Sequence, residues 1–485
     1  MKKNDILELT IQSYAYEGKG VAKIPVEKDG ETKNFVIFVQ HAYPGDVVKA
    51  EIKKIKKSYA EAKLVEVISA SAERISARCN FFGTCGGCKQ QDLSYQSQTR
   101  YKKEQVKDIF NRLGDFNDFI FEEIIPAEQI FFYRNKMEFS FAEQRWLTPD
   151  EINSSEFIDR NFALGLHIPN LFDKVLDLNE CFLQSEESNK ILNFTRTFFK
   201  QKNTSIYTTK THSGYLRNLV VKESKNFPEL MVNLVTSEEN DELMDEYTQS
   251  LKKEIPAVTT IINNISKKKA LVALGDYEKV FYGNGIIHDS IGGYKFRISA
   301  NSFFQTNTLQ AGNLYQTTLD FACLSGNEIV YDLYCGAGTI SIFVSKFAKE
   351  IYGLEVVQSA IADAEVNKKL NRIENVKFFP ADLYNSFISV VENQNIPKPD
   401  VVIADPPRNG MHKNTVADIL QLSPKKIVYV SCNPTTQVRD IKLFCEAGYK
   451  LVKVRPVDMF PHTYHIENVV LLEKVEGINC VSEQN

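Results

Sequence analysis

EIVYDLYCGAGT, residues 328–339, is the stretch that decides the fold. A short apolar run without in/out alternation leads into a turn, and Gly336 and Gly338 then open a helix. The same unit recurs downstream as EIYGLEV, VKFFPADL, DVVIADPP, KIVYVSC and YKLVKVRPV, each apolar run separated from the next by a helical stretch. Strands apolar on both sides and alternating with helices predict a parallel sheet covered on both faces. Residues 297–474 are therefore expected to form a doubly wound α/β domain, with 475–485 as a tail.

In such sheets a ligand lies beyond the carboxyl ends of the strands, where small residues in the first turn let the backbone approach it. Gly336, Gly338 and Thr339 occupy that turn. Glu355 closes the next strand, where a carboxylate can accept from two ribose hydroxyls, and Asp382 closes the third, facing an adenine edge. G-A-G-T is not the G-x-G-x-x-G of dinucleotide sites. The set D-L-Y-C-G-A-G, G-L-E and F-P-A-D-L resembles the class I S-adenosylmethionine methyltransferases.

Two later strand ends carry chemistry that packing does not require. The fourth ends in ADPPR, residues 404–408, whose prolines stiffen the backbone. The fifth runs KIVYVSCNP into Cys432. An isolated cysteine after an apolar strand is more often an inert core thiol, but this one leaves the sheet beside the expected cofactor cleft. His462, His465 and Glu467 follow just before the last strand, in a spacing unlike H-E-x-x-H, so the carboxylate reads better as a general base than as a metal ligand.

S-C-N-P, D-P-P-R, F-P-H-T-x-H-x-E and N-S-F-F-Q-T-N (301–307) together resemble the RNA uracil-C5 methyltransferase family over almost the whole chain. The resemblance implies that Cys432 adds to C6 of a flipped uridine, that Glu467 removes the C5 proton, and that Gln305, Tyr334, Glu355 and Asp405 line the cofactor and substrate pocket.

Cys79, Cys85 and Cys88 crowd into CNFFGTCGGC, and Cys181 is a candidate fourth ligand. Four thiolates suit zinc or a [4Fe-4S] cluster, and spacing does not separate them. Similarity to the ribosomal-RNA branch of the family implies the iron–sulfur cluster. The C-x3-C-x2-C of radical enzymes is absent.

Upstream, residues 1–68 read as short strands punctuated at Gly18, Gly20, Asp29-Gly30 and Pro44-Gly45, a small barrel of OB-like type. G-K-G-V-A and A-Y-P-G-D resemble the TRAM domain, an RNA-binding module, which implies that Lys53, Lys54, Lys56 and Lys57 contact RNA backbone. Residues 69–296 read as a central α+β domain, with strands such as FALGLHI, RNLVVKE, ELMVNLVT and ALVALGD and a helix at 93–114 that ends at Gly114 and can pack on the catalytic domain. A net charge of −4 argues against a nucleic-acid coat, nine cysteines argue against a disulfide framework, and no apolar run reaches the roughly 20 residues of a membrane helix. A cytoplasmic monomer acting on RNA, 23S ribosomal RNA by analogy and tRNA otherwise, is expected. Rival readings are a cytosine-C5 enzyme, which places its cysteine after the fourth strand, an amino-group methyltransferase, which needs an aromatic at Arg408, and a non-catalytic RNA-binding protein.

Overall fold

The computed structural model describes residues 1–28, 31–169 and 171–475. The expected turn at Asp29-Gly30, Cys480 and the tail from 476 onward lie outside the described residues.

Six strands, Ile6–Thr10, Ser13–Ala15, Lys19–Lys28, Glu31–Gln40, Val47–Ile55 and Tyr59–Ser69, form the N-terminal sheet around Leu9, Ile37, Val39, Val48 and Ile52. The stretch LELTIQSYAY, residues 7–16, divides at Ile11-Gln12. Its first half pairs with Val47–Ile55, whereas its second half pairs with Lys19–Lys28. The two edge strands of the sheet are thus consecutive in the chain. At the bend between them Ile11 N–H donates to the Asp46 carbonyl and Gln12 N–H to the Val21 carbonyl, so one bent segment borders both sides of a six-stranded sheet on one core.

A seven-stranded mixed sheet occupies the centre. Its spatial order is Leu171–Asp177, Asn161–Ile168, Lys136–Trp146, Leu216–Glu223, Leu230–Thr236, Thr260–Ile265 and Tyr277–Tyr282. The helices Glu186–Gln201 and Asp241–Glu254 bury Ile191, Phe199 and Tyr247 against Phe139 and Leu219. ALVALGD, expected as a strand, is not one. The buried Arg217 guanidinium donates to the carbonyls of Ser266 and Lys268 just before it and of Ala270 at its start, so the acceptors leading into the segment are met by a side chain instead of a neighbouring strand.

The third sheet has eight strands in the order Val376–Pro380, Glu350–Glu355, Ile329–Leu333, Val401–Ala404, Lys426–Ser431, Glu467–Lys474, Tyr449–Val457 and Ile120–Phe121. It is parallel except for Glu467–Lys474, which runs antiparallel to both neighbours. The purely parallel expectation fails there because residues 458–466 are too few for a crossover, which needs a dozen or more.

The catalytic layer also recruits chain from the expected central unit. The helix Tyr95–Asp108 continues into a π turn, Ile109–Leu113, and Val106 and Phe110 enter the core beneath the third sheet. Gly114 ends this turn with an ordinary negative φ of −78°. The hairpin Ile286–Ile291 and Tyr294–Ser299 packs Ile287 and Phe296 into the core on the other side, so a boundary at 297 falls inside its second strand. Among the described residues no helix is long and apolar enough to cross a membrane.

Candidate active site

Of the residues expected at the cofactor, Tyr334, Gly336 and Thr339 follow the carboxyl end of the strand Ile329–Leu333, Glu355 ends Glu350–Glu355, Asp382 follows Val376–Pro380 and Asp405 follows Val401–Ala404. Gly336 and Gly338 adopt φ of +52° and +76°, which L side chains rarely reach. A Cβ at Gly338 would come within 2.6 Å of the Phe378 ring, whereas one at Gly336 would point into open space. The backbone at Gly336 is thus bare toward the cleft. Its N–H donates to Glu355 at 3.1 Å, and Val357 N–H donates to the other carboxylate oxygen at 2.8 Å. Glu355 is therefore held rigidly at the strand end. Thr339 lies 2.9 Å from the Tyr315 hydroxyl, and Tyr334, with φ of +65°, meets Thr415 at 3.2 Å. Asp382 is exposed and accepts from Tyr384 N–H and the Asn385 amide. Gln305 sits half-buried on the loop before the helix Thr308–Ala322, its carbonyl held by the Asn135 amide at 2.7 Å. The open glycine edge, the fixed acid and the second acid fit an adenosine-bearing ligand.

Cys432 follows the strand Lys426–Ser431, and Asn433 caps the helix Pro434–Glu446 by accepting from Thr435 N–H at 3.1 Å. Burial first, then the nearby Glu467 and Asp405, push the Cys432 thiol up to about 12, while the Arg408 guanidinium pulls it down. Burial also raises Asp405 to about 7, with the charge of the buried Asp332 adding to it. Glu467 is held well above the usual carboxylate range by burial and by Asp405. Two carboxyls beside one thiol, with Asp332 acting on Asp405 in turn, cannot all ionise together, so they form a reservoir that can hold a proton near neutral pH.

The loop 458–466 that carries His462 and His465 into Glu467 is anchored by residues that sequence reading missed. Lys102 Nζ donates to Asp458 at 2.6 Å and to the Phe460 carbonyl at 3.1 Å, with both charged groups fully buried. Tyr95 adds a bond to the other Asp458 oxygen at 3.0 Å. Removing one member of such a pair costs about 3–5 kcal/mol. Gln98 accepts from the His462 N–H at 2.9 Å, and the His462 carbonyl accepts from Lys89 and Gln90 N–H at 2.8 and 3.1 Å. His462 stacks on Phe131 with ring centroids 4.4 Å apart, and burial lowers both histidines to about 4. They are neutral supports here.

Cys79, Cys85, Cys88 and Cys181 line one cavity of about 580 Å³, walled also by Phe81, Met137 and Leu166. Burial raises all four thiols, to about 11 for Cys85 and about 12 for Cys88, and the neighbouring sulfurs raise these two further. Gly87 N–H donates to Cys85 Sγ at 3.3 Å, and the Gln91 amide donates to Cys88 Sγ at 3.2 Å. Among the described residues no group of three or more His, Cys, Asp or Glu side chains is set to hold a single metal ion. Lys53, Lys54, Lys56 and Lys57 are exposed at the end of the strand Val47–Ile55 and the turn after it.

Comparison with known proteins agrees with this geometry. The sequence profile described as tRNA (Uracil-5-)-methyltransferase matches residues 224–475, and that of the TRAM domain matches residues 2–65. An uncharacterized RNA methyltransferase of Chlorobaculum tepidum is 41% identical over 98% of both chains. One of Bacteroides thetaiotaomicron is 42% identical over 95% of this chain and 99% of its own. Among solved structures, the Pyrococcus abyssi tRNA (uracil-54, C5)-methyltransferase in complex with S-adenosyl-L-homocysteine superposes with a TM-score of 0.72 at 27% identity, covering 96% of this chain and 100% of that one. The chain belongs to the RNA uracil-C5 methyltransferase family, and is an S-adenosylmethionine-dependent RNA methyltransferase with an N-terminal TRAM domain.

Proposed function

We propose that the enzyme methylates C5 of a specific uridine in 23S ribosomal RNA, with Cys432 as nucleophile and Glu467 as base. The observation that carries this reading is the placement of Cys432 at a strand end between two raised carboxyls and the Arg408 guanidinium. Uracil C5 is too weak a nucleophile to take a methyl group unaided. Addition of the Cys432 thiolate to C6 forms an S–C bond and moves the electron pair into an enolate across C5 and O4. C5 then attacks the methyl carbon of the sulfonium, the methyl–sulfur bond breaks with its electron pair going to sulfur, and S-adenosylhomocysteine leaves as a neutral thioether. Glu467 takes the C5 proton, the C5–C6 double bond re-forms and the thiolate leaves. Gln305, Tyr334, Gly336, Thr339, Glu355, Asp382 and Asp405 are assigned to the cofactor and substrate pocket. The exposed lysines 53, 54, 56 and 57 are assigned to phosphate contacts, whose signature is a binding constant that falls with salt.

The cysteine cavity is assigned to a [4Fe-4S] cluster. Tetrahedral zinc holds four sulfurs within about 4 Å of one another, whereas a cube of iron and sulfide reaches thiolates spread around a cavity. The N–H donors on Cys85 and Cys88 suit sulfurs that carry negative charge. A second substrate reading, tRNA, is favoured by the Pyrococcus neighbour.

Mapping of 5-methyluridine in ribosomal and transfer RNA, with and without the gene, tests the substrate. A mark that vanishes from 23S RNA is the expected result. Cys432→Ala should abolish both methylation and the covalent adduct with 5-fluorouridine RNA, and an active variant would overturn the mechanism.

A further inference from the structure

Tyr16 lies in the turn between the strands Ser13–Ala15 and Lys19–Lys28 of the N-terminal sheet, yet it reaches the nucleophile's neighbour. Its hydroxyl donates to Asn433 Oδ1 at 3.5 Å. The same Asn433 donates from Nδ2 to the Arg408 carbonyl at 3.2 Å, so the tyrosine of the N-terminal sheet and the D-P-P-R loop share one partner. The turn also rests on Tyr464: a Cβ at Gly18 would lie 3.4 Å from Tyr464 Cβ. Tyr16 and Tyr464 are both half-buried, and Arg408 is exposed. Cys432, Tyr464 and Arg408 all lie close enough to act on the Tyr16 hydroxyl, which burial raises to about 12. Tyr464 in turn lies 4.5 Å, ring to ring, from His465.

Two half-buried aromatic rings and an exposed guanidinium gathered beside Cys432 form the chemistry that receives unstacked nucleotides. Ring faces stack bases, and guanidinium meets phosphate. A uridine that leaves its stack also exposes the face of its neighbour. We propose that Tyr16 and Tyr464 form a stacking platform for the nucleotide adjacent to the methylated uridine, with Arg408 at the phosphate between them. The N-terminal sheet then completes the substrate opening itself and selects the site together with the catalytic sheet. This rests on Cys432 being the nucleophile.

The test uses the full-length protein and bulk ribosomal and transfer RNA from cells lacking the enzyme, with tritiated methyl incorporation as the readout. Tyr16→Leu is expected to raise KM for RNA roughly tenfold to a hundredfold. Its kcat should stay within about threefold, because the ring positions substrate and takes no part in bond making. Tyr16→Phe should keep KM within about threefold of the wild type, since the ring face survives. Tyr464→Leu should raise KM as well, and the double variant should fall short of the product of the two, because both rings hold one nucleotide. S-adenosylhomocysteine affinity, measured by calorimetry, reports whether each variant is folded. Should Tyr16→Leu lose that affinity, Tyr464→Leu carries the test.

A wild-type KM in Tyr16→Leu overturns the proposal. So does a Tyr16→Phe as impaired as Tyr16→Leu, since the bond to Asn433 and not the ring would then matter. A Cys432→Ala that still methylates overturns the mechanism instead, while leaving the Tyr16 effect on KM readable.

Discussion

Cys432 and the cavity cysteines are both buried enough that their thiols resist ionisation, but their surroundings differ. Cys432 stands alone, flanked by carboxyls that disfavour its thiolate and by one guanidinium that favours it. The four others face each other across an apolar cavity, and each sulfur that ionises makes the next harder to ionise. A single thiol can be made reactive by a movable proton and one cation. Four thiols lining one cavity need a multivalent cationic centre before they can all carry charge. Residue type is thus no guide to role, whereas the number and sign of the neighbours are.

That contrast can be broken most sharply at the proton reservoir. Glu467→Gln should leave thiolate addition and methyl transfer intact and stop elimination, lowering turnover by about 10²–10⁴. The methylated enzyme–RNA adduct should accumulate as a band that survives denaturing gels. If turnover falls with no adduct, Glu467 acts before methyl transfer. At the cavity, Cys88→Ser should remove visible absorbance from anaerobically purified protein and lower Tm by about 5 °C or more, because a group bound only to the folded chain stabilises it. Stoichiometric zinc in the wild type would instead turn the cavity into a single-ion site. The smallest effect concerns the cation beside Cys432. Arg408→Gln removes the charge that draws the thiol down, so iodoacetamide should alkylate Cys432 roughly threefold more slowly at pH 8, with the modest size set by solvent screening. Equal rates would mean that the guanidinium serves RNA alone.

Local features were legible in the sequence. The strand–turn–helix at 328–339, the acid at Glu355 and the cysteine at 432 each announce themselves within a dozen residues, because a parallel sheet puts ligand contacts at the ends of consecutive strands. What could not be read was contact across the chain. Lys102 and Asp458 are 356 positions apart, and Tyr16 and Asn433 are 417 apart. On its own helix Lys102 looks like any solvent-facing lysine, and only the fold shows it fully buried. The antiparallel strand Glu467–Lys474 was missed for a related reason: an apolar run carries no mark of direction, and the short 458–466 connection was the only clue.

The anchoring of the loop ahead of Glu467 also sets when an enzyme can exist. His462 is held by N–H groups of Lys89 and Gln90 and by the Gln98 side chain, and Asp458 by Lys102, which lies 356 positions earlier in the chain. At ~5–20 residues per second, a ribosome adds Glu467 roughly 20 to 70 seconds after Lys102. Throughout that interval Lys102 and Gln98 are in the chain without the loop they hold, and the proposed base has not yet been added. The loop ahead of Glu467 can therefore be seated only once both segments have been made.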